Sequence, residues 1–131
     1  MTFDFDRYVA DFNAAGGREA ELVDAYFTDD MILDGPDRST TGKAPWIELL
    51  KFSHDGVEER LKPLSVVRQG DRIMAELDAQ FTASRDRPDF LVHPLKAGDV
   101  VSTRFFAAYT LRDEKISRLA LSWWPVLQAP E

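Results

Sequence analysis

The apolar positions of this chain change period part-way along it. Phe5, Tyr8, Val9 and Phe12 stand at i, i+3, i+4 and i+7, one stripe of an amphipathic helix. Thr2 or Asp4 supplies its N-cap and Gly16-Gly17 stops it. A second helix is predicted from about Arg18, burying Leu22, Val23, Tyr26 and Phe27, with Asp29-Asp30 as the turn out of it. Residues 31–35 read as a short strand closed by the breaker pair Gly35-Pro36. Pro45 then fits the first turn of a third helix, where a missing N–H costs nothing. That helix presents Trp46, Leu49, Leu50 and Ser53 along one side and ends near Asp55-Gly56.

Beyond Gly56 the period becomes two. Residues 58–68 are predicted as a strand, with Pro63 marking an edge or a bulge. In residues 72–82, Ile73, Ala75, Leu77, Ala79 and Phe81 alternate with Met74, Glu76, Asp78, Gln80 and Thr82, so one face is buried. A loop containing Pro88, Pro94 and Gly98 fills 84–98. The stretch 100–124 is interrupted only by Arg112-Asp113-Glu114 and reads as a long antiparallel hairpin. With a two-residue turn, Leu111, Tyr109, Ala107 and Phe105 share a face with Ile116, Ala120 and Trp124. Thr110, Ala108, Phe106 and Arg104 then share the other with Leu119, Leu121 and Trp123. Apolar residues on both faces exceed what one-sided packing needs, so one face is expected to meet the core and the other a second copy of the chain. Three helices followed by four antiparallel strands give an α+β fold, expected as one domain over residues 1–131.

Composition narrows the function classes. The chain has no cysteine, so disulfides and thiolate metal sites are excluded. Its net charge of −7 and the lack of any Lys/Arg cluster argue against nucleic acid. No apolar run approaches the ~20 residues of a membrane span. The acidic N-terminus lacks the pattern of a signal peptide, so a cytoplasmic protein with no membrane partner is expected. Dinucleotide and phosphate-loop glycine motifs, the nucleophile elbow and the HExxH pattern are all missing. The two histidines, His54 and His93, have no ligand spacing around them, so neither cofactor nor metal is expected.

Several stretches together resemble a known superfamily. They are 7–15 (Arg-Tyr-Val-Ala-Asp-Phe-Asn-Ala-Ala), 26–30 (Tyr-Phe-Thr-Asp-Asp), 32–36 (Ile-Leu-Asp-Gly-Pro) and a Gly42-led helix. Gly70-Asp71-Arg72 and Pro-Leu-Lys-Ala-Gly-Asp at 94–99 continue the likeness over nearly the whole chain. In order and spacing these resemble NTF2-like proteins, and within them SnoaL-like proteins and ketosteroid isomerase. The resemblance implies three N-terminal helices packed in a strongly curved mixed or antiparallel sheet, a cone with an apolar pocket at its open end. It also implies frequent homodimers through the outer sheet face. Members bind small apolar molecules or carry out acid–base chemistry.

The resemblance also names candidates. Tyr8 matches the isomerase's oxyanion donor, and a buried phenol suits that task. Asp34 lies near its general base, and whether it faces inward stays open, because a one-residue slip reverses the face of a strand. The second oxyanion donor falls on Phe106 or Ala107, neither of which can donate, so full steroid isomerase activity is not expected. The aspartate that ends the last strand of many SnoaL-like members is replaced by Trp123-Trp124-Pro125. His93, on a rim loop, is the alternative base, with His54 behind it. Glu76 and Asp78 read as solvated. The expected substrate-binding wall is Phe12, Phe27, Trp46, Leu50, Phe81, Phe105, Tyr109 and Trp123.

Three readings follow. The chain is a cofactor-free isomerase or cyclase acting next to a carbonyl, a binder of a small hydrophobic or aromatic molecule, or a dimeric scaffold whose cavity tryptophans fill. A pocket well under the ~300 Å³ of ordinary ligand sites would rule out both small-molecule readings and leave the third.

Overall fold

A computed structural model describes residues 2–126. In chain order the elements are α1 (Phe5–Asn13), α2 (Glu19–Tyr26), β1 (Phe27–Asp34), β2 (Ser39–Thr41), α3 (Lys43–His54), β3 (Val57–Gln69), β4 (Arg72–Ala83), β5 (Val100–Arg112) and β6 (Lys115–Pro125). The strands form one six-stranded sheet in the order β2-β1-β6-β5-β4-β3. β1 runs parallel to β6 and the other neighbours are antiparallel. This is the α+β architecture with a mixed sheet that the resemblance implies. Among the described residues no helix is long and apolar enough to cross a membrane.

α1 forms where the apolar stripe demands it. Asp4 caps it by accepting from the Arg7 N–H at 3.2 Å, and Phe5, Tyr8, Val9 and Phe12 are buried. At its end the Asn13 amide clamps strand β3. Its Nδ2 donates to the Leu61 carbonyl at 3.0 Å, and its Oδ1 accepts from the Leu61 N–H at 2.7 Å. The inward-facing part of β3, including Glu59 two residues earlier, is thereby fixed against the helix.

Pro63 behaves as the pattern predicts. β3 is an edge strand, and its register slips between Pro63 and Ser65. The alternation of β4 holds without exception on the inner side, with Ile73, Ala75, Leu77, Ala79 and Phe81 buried.

Three expectations need correction. Asp29-Asp30 is not a turn, because β1 leaves α2 directly at Phe27. The register against β6 shifts between Phe27 and Ile32, carrying the two aspartates outward to Lys43 and Arg112. The polar stretch after Pro36 contains the short strand β2, which pairs with β1. The faces of the last hairpin differ as well. Asp113 and Glu114 both take positive φ in a two-residue turn, but the β5–β6 register slips between Thr110 and Leu111. The extra residue of that bulge moves later side chains of β6 to the opposite face. Leu119, Leu121 and Trp123 therefore pair with Tyr109, Ala107 and Phe105, while Ala120 and Trp124 pair with Ala108 and Arg104 on the outside.

Candidate functional site

An interior cavity opens between α1, α3 and the concave face of the sheet. Tyr8, Phe12, Leu33, Trp46, Leu50, Glu59, Leu61, Leu77, Phe81, Phe105, Tyr109, Leu119, Leu121 and Trp123 are among the side chains that line it. Two loop segments form its mouth, Gly35 to Arg38 on one side and Phe90 to Val92 on the other. Its volume is about 110 Å³, below the range of sites that swallow a drug-sized ligand. By that criterion the interior as it stands favours the scaffold reading. The ~150 Å³ apolar cavity that takes up benzene is also larger, so even a single ring needs the mouth to widen.

Of the expected wall, Phe12, Trp46, Leu50, Phe81, Phe105, Tyr109 and Trp123 line this one cavity. Phe27 does not. It is fully buried behind the wall, its ring 6.0 Å from that of Tyr8 and 5.9 Å from that of Trp46. Sequence spacing placed Phe27 on a helix face, whereas it is the first residue of β1 and a core residue proper.

Tyr8 is the predicted catalytic residue that the cavity contains. Only 1% of it is exposed, and its ring stands 6.0 Å from that of Tyr109. Burial, followed by the neighbouring Tyr109, Glu59 and Tyr26, pushes its pKa well above that of an ordinary phenol. Burial and Glu59 do the same to Tyr109. Both phenols stay protonated at any working pH, so each is a neutral hydrogen-bond donor.

Asp34 lies on the other side of the sheet. Leu33 faces inward and Asp34 outward, where it borders a groove on the convex face. Its carboxylate accepts from the Ser39 hydroxyl at 2.7 Å and from Arg118 Nε at 2.9 Å. Those two hydrogen bonds, Ser39 first, hold its pKa below the usual carboxylate value, the reverse of what a buried base requires. His93 is exposed on the 84–99 loop beside Pro94, whose carbonyl lies 2.6 Å from Nδ1. Its neighbours Phe90, Leu91 and Val92 line the mouth, and His93 does not.

The carboxylate that does face the cavity is Glu59. Its side chain is 7% exposed, and His54, 8% exposed, sits with Nε2 2.8 Å from Glu59 Oε1. On the far side of the imidazole, Nδ1 is 3.9 Å from Glu19 Oε2. Glu19 is 5% exposed and accepts from the Gly17 N–H at 2.8 Å. Burial opposes the imidazolium, yet the Glu59 hydrogen bond and the charges of both glutamates outweigh it and raise the His54 pKa. Glu59 escaped the sequence reading, although a signal for it exists. Val57, Glu59 and Leu61 share one strand face, and a carboxylate on an otherwise apolar face needs a reason to be there. Among the described residues, no three His, Asp or Glu side chains are close enough together to hold a metal ion.

The fold and cavity define an NTF2-like cone. A family model for the SnoaL-like domain matches residues 5–119, and the chain belongs to that family. Among curated proteins, none matches it by sequence. Solved structures share its architecture. A candidate polyketide cyclase from Pseudomonas putida superimposes with a TM-score of 0.73 at 22% identity, over 89% of this chain and 86% of that one. A second candidate polyketide cyclase, from Xanthomonas campestris, gives 0.72 at 21% identity over 88% and 83% of the two chains. An LEH-like epoxide hydrolase from M. tuberculosis gives 0.66 at 16% identity over 89% and 80%.

Proposed function

We propose that this SnoaL-like protein takes a small, single-ring hydrophobic or aromatic carbonyl compound into its apolar pocket and moves a proton next to the carbonyl, without a cofactor. One observation carries this reading. A buried carboxylate, Glu59, lines the same apolar cavity as the phenols of Tyr8 and Tyr109. A packing role alone would be served better by an apolar side chain, since burying an ion is costly unless it is compensated. Glu59 takes a proton from the carbon beside the carbonyl, and the electron pair moves to the carbonyl oxygen. The Tyr8 hydroxyl, backed by Tyr109, stabilises that oxyanion. Glu59 then returns the proton at the γ-carbon of a β,γ-unsaturated ketone, which is isomerase chemistry, or at the same carbon, which is exchange. The solved structures described as cyclases support chemistry on a small carbonyl compound in such a pocket, and the small volume favours a substrate of no more than one ring.

The test is isomerisation of the β,γ-unsaturated cyclohexenone to its conjugated form, together with deuterium uptake beside the carbonyl in deuterium oxide. Glu59→Gln is expected to lower turnover by about 10²–10⁴-fold, the usual worth of a positioned base. Exchange no faster than in buffer, or a fully active Glu59→Gln, would end the reading.

The rival reading, a scaffold that turns nothing over, is favoured by the small cavity. It pairs naturally with the apolar outer face, where Phe106, Trp124, Met74 and Val67 are exposed. A homodimer through that face belongs to either reading. The cytoplasm remains the proposed compartment.

A further inference from the structure

Glu59 does not stand alone, and its supporting groups come from two other elements. α3 supplies His54 in its last turn, and α2 supplies Glu19 in its first. From α1 the Phe12 ring packs edge-on against the imidazole, 5.8 Å away. Of the other charged groups near this end of α3, Lys51 in the same last turn is exposed to solvent, and the rest are engaged elsewhere. Arg85 pairs with the Asp55 carboxylate at 2.7 Å, and Arg87 donates to the Asp55 carbonyl at 2.5 Å. Tyr8 and Tyr109 face Glu59 from α1 and β5 as neutral phenols.

Two buried carboxylates flank one imidazole, and the spacing is unequal. The Glu59 contact is a short hydrogen bond, whereas Nδ1 has no hydrogen-bond partner and only approaches Glu19. The hydrogen bond uses Glu59 Oε1, which leaves Oε2 as the oxygen free to accept a proton from a guest. Glu19 is absent from the cavity wall, so any influence it has on a guest must pass through His54.

We propose that His54 and Glu19 are positioning residues for Glu59. His54 balances its charge and aims its second oxygen into the cavity, and Glu19 holds His54 in the imidazolium form. This rests on the reading of Glu59 as a base. The array carries two negative charges and one positive, and the positive one lies between the other two. Without His54, Glu59 would have to ionise against its own burial.

The decisive measurement needs no substrate. His54 and His93 are the only histidines, so imidazole resonances can be assigned with His93→Asn and followed by NMR across pH. His54 is expected to titrate above the ordinary imidazole value of 6.5. Glu19→Gln and Glu59→Gln should each bring the His54 midpoint down. A His54 midpoint at or below the ordinary imidazole value, or one indifferent to Glu19→Gln, overturns the proposal even if the protein turns the probe over.

Turnover of the cyclohexenone probe supplies the second arm. His54→Gln should shift the acidic limb of the kcat profile to higher pH, because it removes the positive charge beside Glu59. Loss at low pH should reach about 10–100-fold, the scale of a misplaced catalytic group, with recovery as pH rises and KM little changed. A loss equal at every pH would mean a merely structural role and would also overturn the proposal. Absence of any turnover would remove the base reading of Glu59, while the titration would still decide whether the three groups act as one charged array.

Discussion

Two residues that look equivalent in sequence part company in the structure. Tyr8 and Asp34 were both assigned chemistry by resemblance, and only Tyr8 reaches the cavity. A helical residue's face follows from a stripe of four positions, which tolerates a small error in alignment. A strand residue's face inverts with a single step, so Asp34 could not be placed from sequence. Asp34→Asn is therefore expected to leave turnover of the cyclohexenone probe unchanged, and Tyr8→Phe to cut kcat by about 10²-fold. Equal losses from both would contradict the geometry. Glu59 was missed for another reason. Its partners lie at positions 19 and 54, and nothing local in the sequence reports that three distant ionisable groups converge. The same cluster sets a pH dependence of stability. The folded-state pKa of His54 is raised above 6.5, so its contribution is complete below that value and disappears as pH rises through the folded pKa. Urea midpoints should accordingly fall across that window in the wild type. His54→Asn should flatten the fall, and a midpoint that rises with pH there would contradict the assignment.

At the level of elements, the sequence was most informative where one signal repeats. The stripe of α1, the alternation of β4 and the edge position marked by Pro63 were all legible, because each rests on several residues or on a backbone property. The bulge between β5 and β6 was not, since it depends on one extra residue around Ser117, whose hydroxyl donates to the Thr110 carbonyl at 3.2 Å. That single residue decides that Trp123 rather than Trp124 lines the cavity. The loop of residues 84–99 was legible only as a loop, yet it carries a buried guanidinium. Arg87 is 2% exposed and stacks over Phe52 and Phe90, 4.7 Å and 5.6 Å from their centroids. Its Nε donates to Asp89 at 3.0 Å. Through Phe90 this strut holds one lip of the mouth to the end of α3. Arg87→Ala is expected to cost about 2–4 kcal/mol, since it opens a gap and orphans the Asp55 carbonyl. Hydrogen exchange should rise first in residues 88–93. Exchange that rises uniformly along the chain would show that the strut serves the whole core rather than the lip.

For the molecule as a whole, the question is what covers the convex face. β6, β5 and β4 are interior strands of the sheet, so the outward side chains of Phe106, Trp124 and Met74 sit mid-face rather than along an edge. Phe106 and Trp124 pack ring to ring at 5.2 Å and remain 45% and 46% exposed. Ala108 and Ala120, paired in register, form a shallow floor beside them. The ion pairs Arg104–Glu76 and Arg118–Asp34 stand around the same groove. An apolar centre ringed by charged pairs is the ordinary anatomy of an interface, and a net charge of −7 per chain makes association costly unless apolar burial outweighs it. A twofold arrangement meets that condition, because each copy's Phe106–Trp124 knob can enter the partner's alanine floor and bury the patch once on each side. The wild type is then expected to sediment at twice its 14.9 kDa chain mass at micromolar concentration. Phe106→Asp should yield monomers, because it sets a carboxylate against the apolar face of the partner. Its neighbours Phe105 and Ala107 point to the other side of the sheet, so the interior cavity, and any turnover of the cyclohexenone probe in it, should survive the change. A wild type that sediments as a monomer would leave the convex face without its second copy, and a Phe106→Asp dimer would place the contact elsewhere.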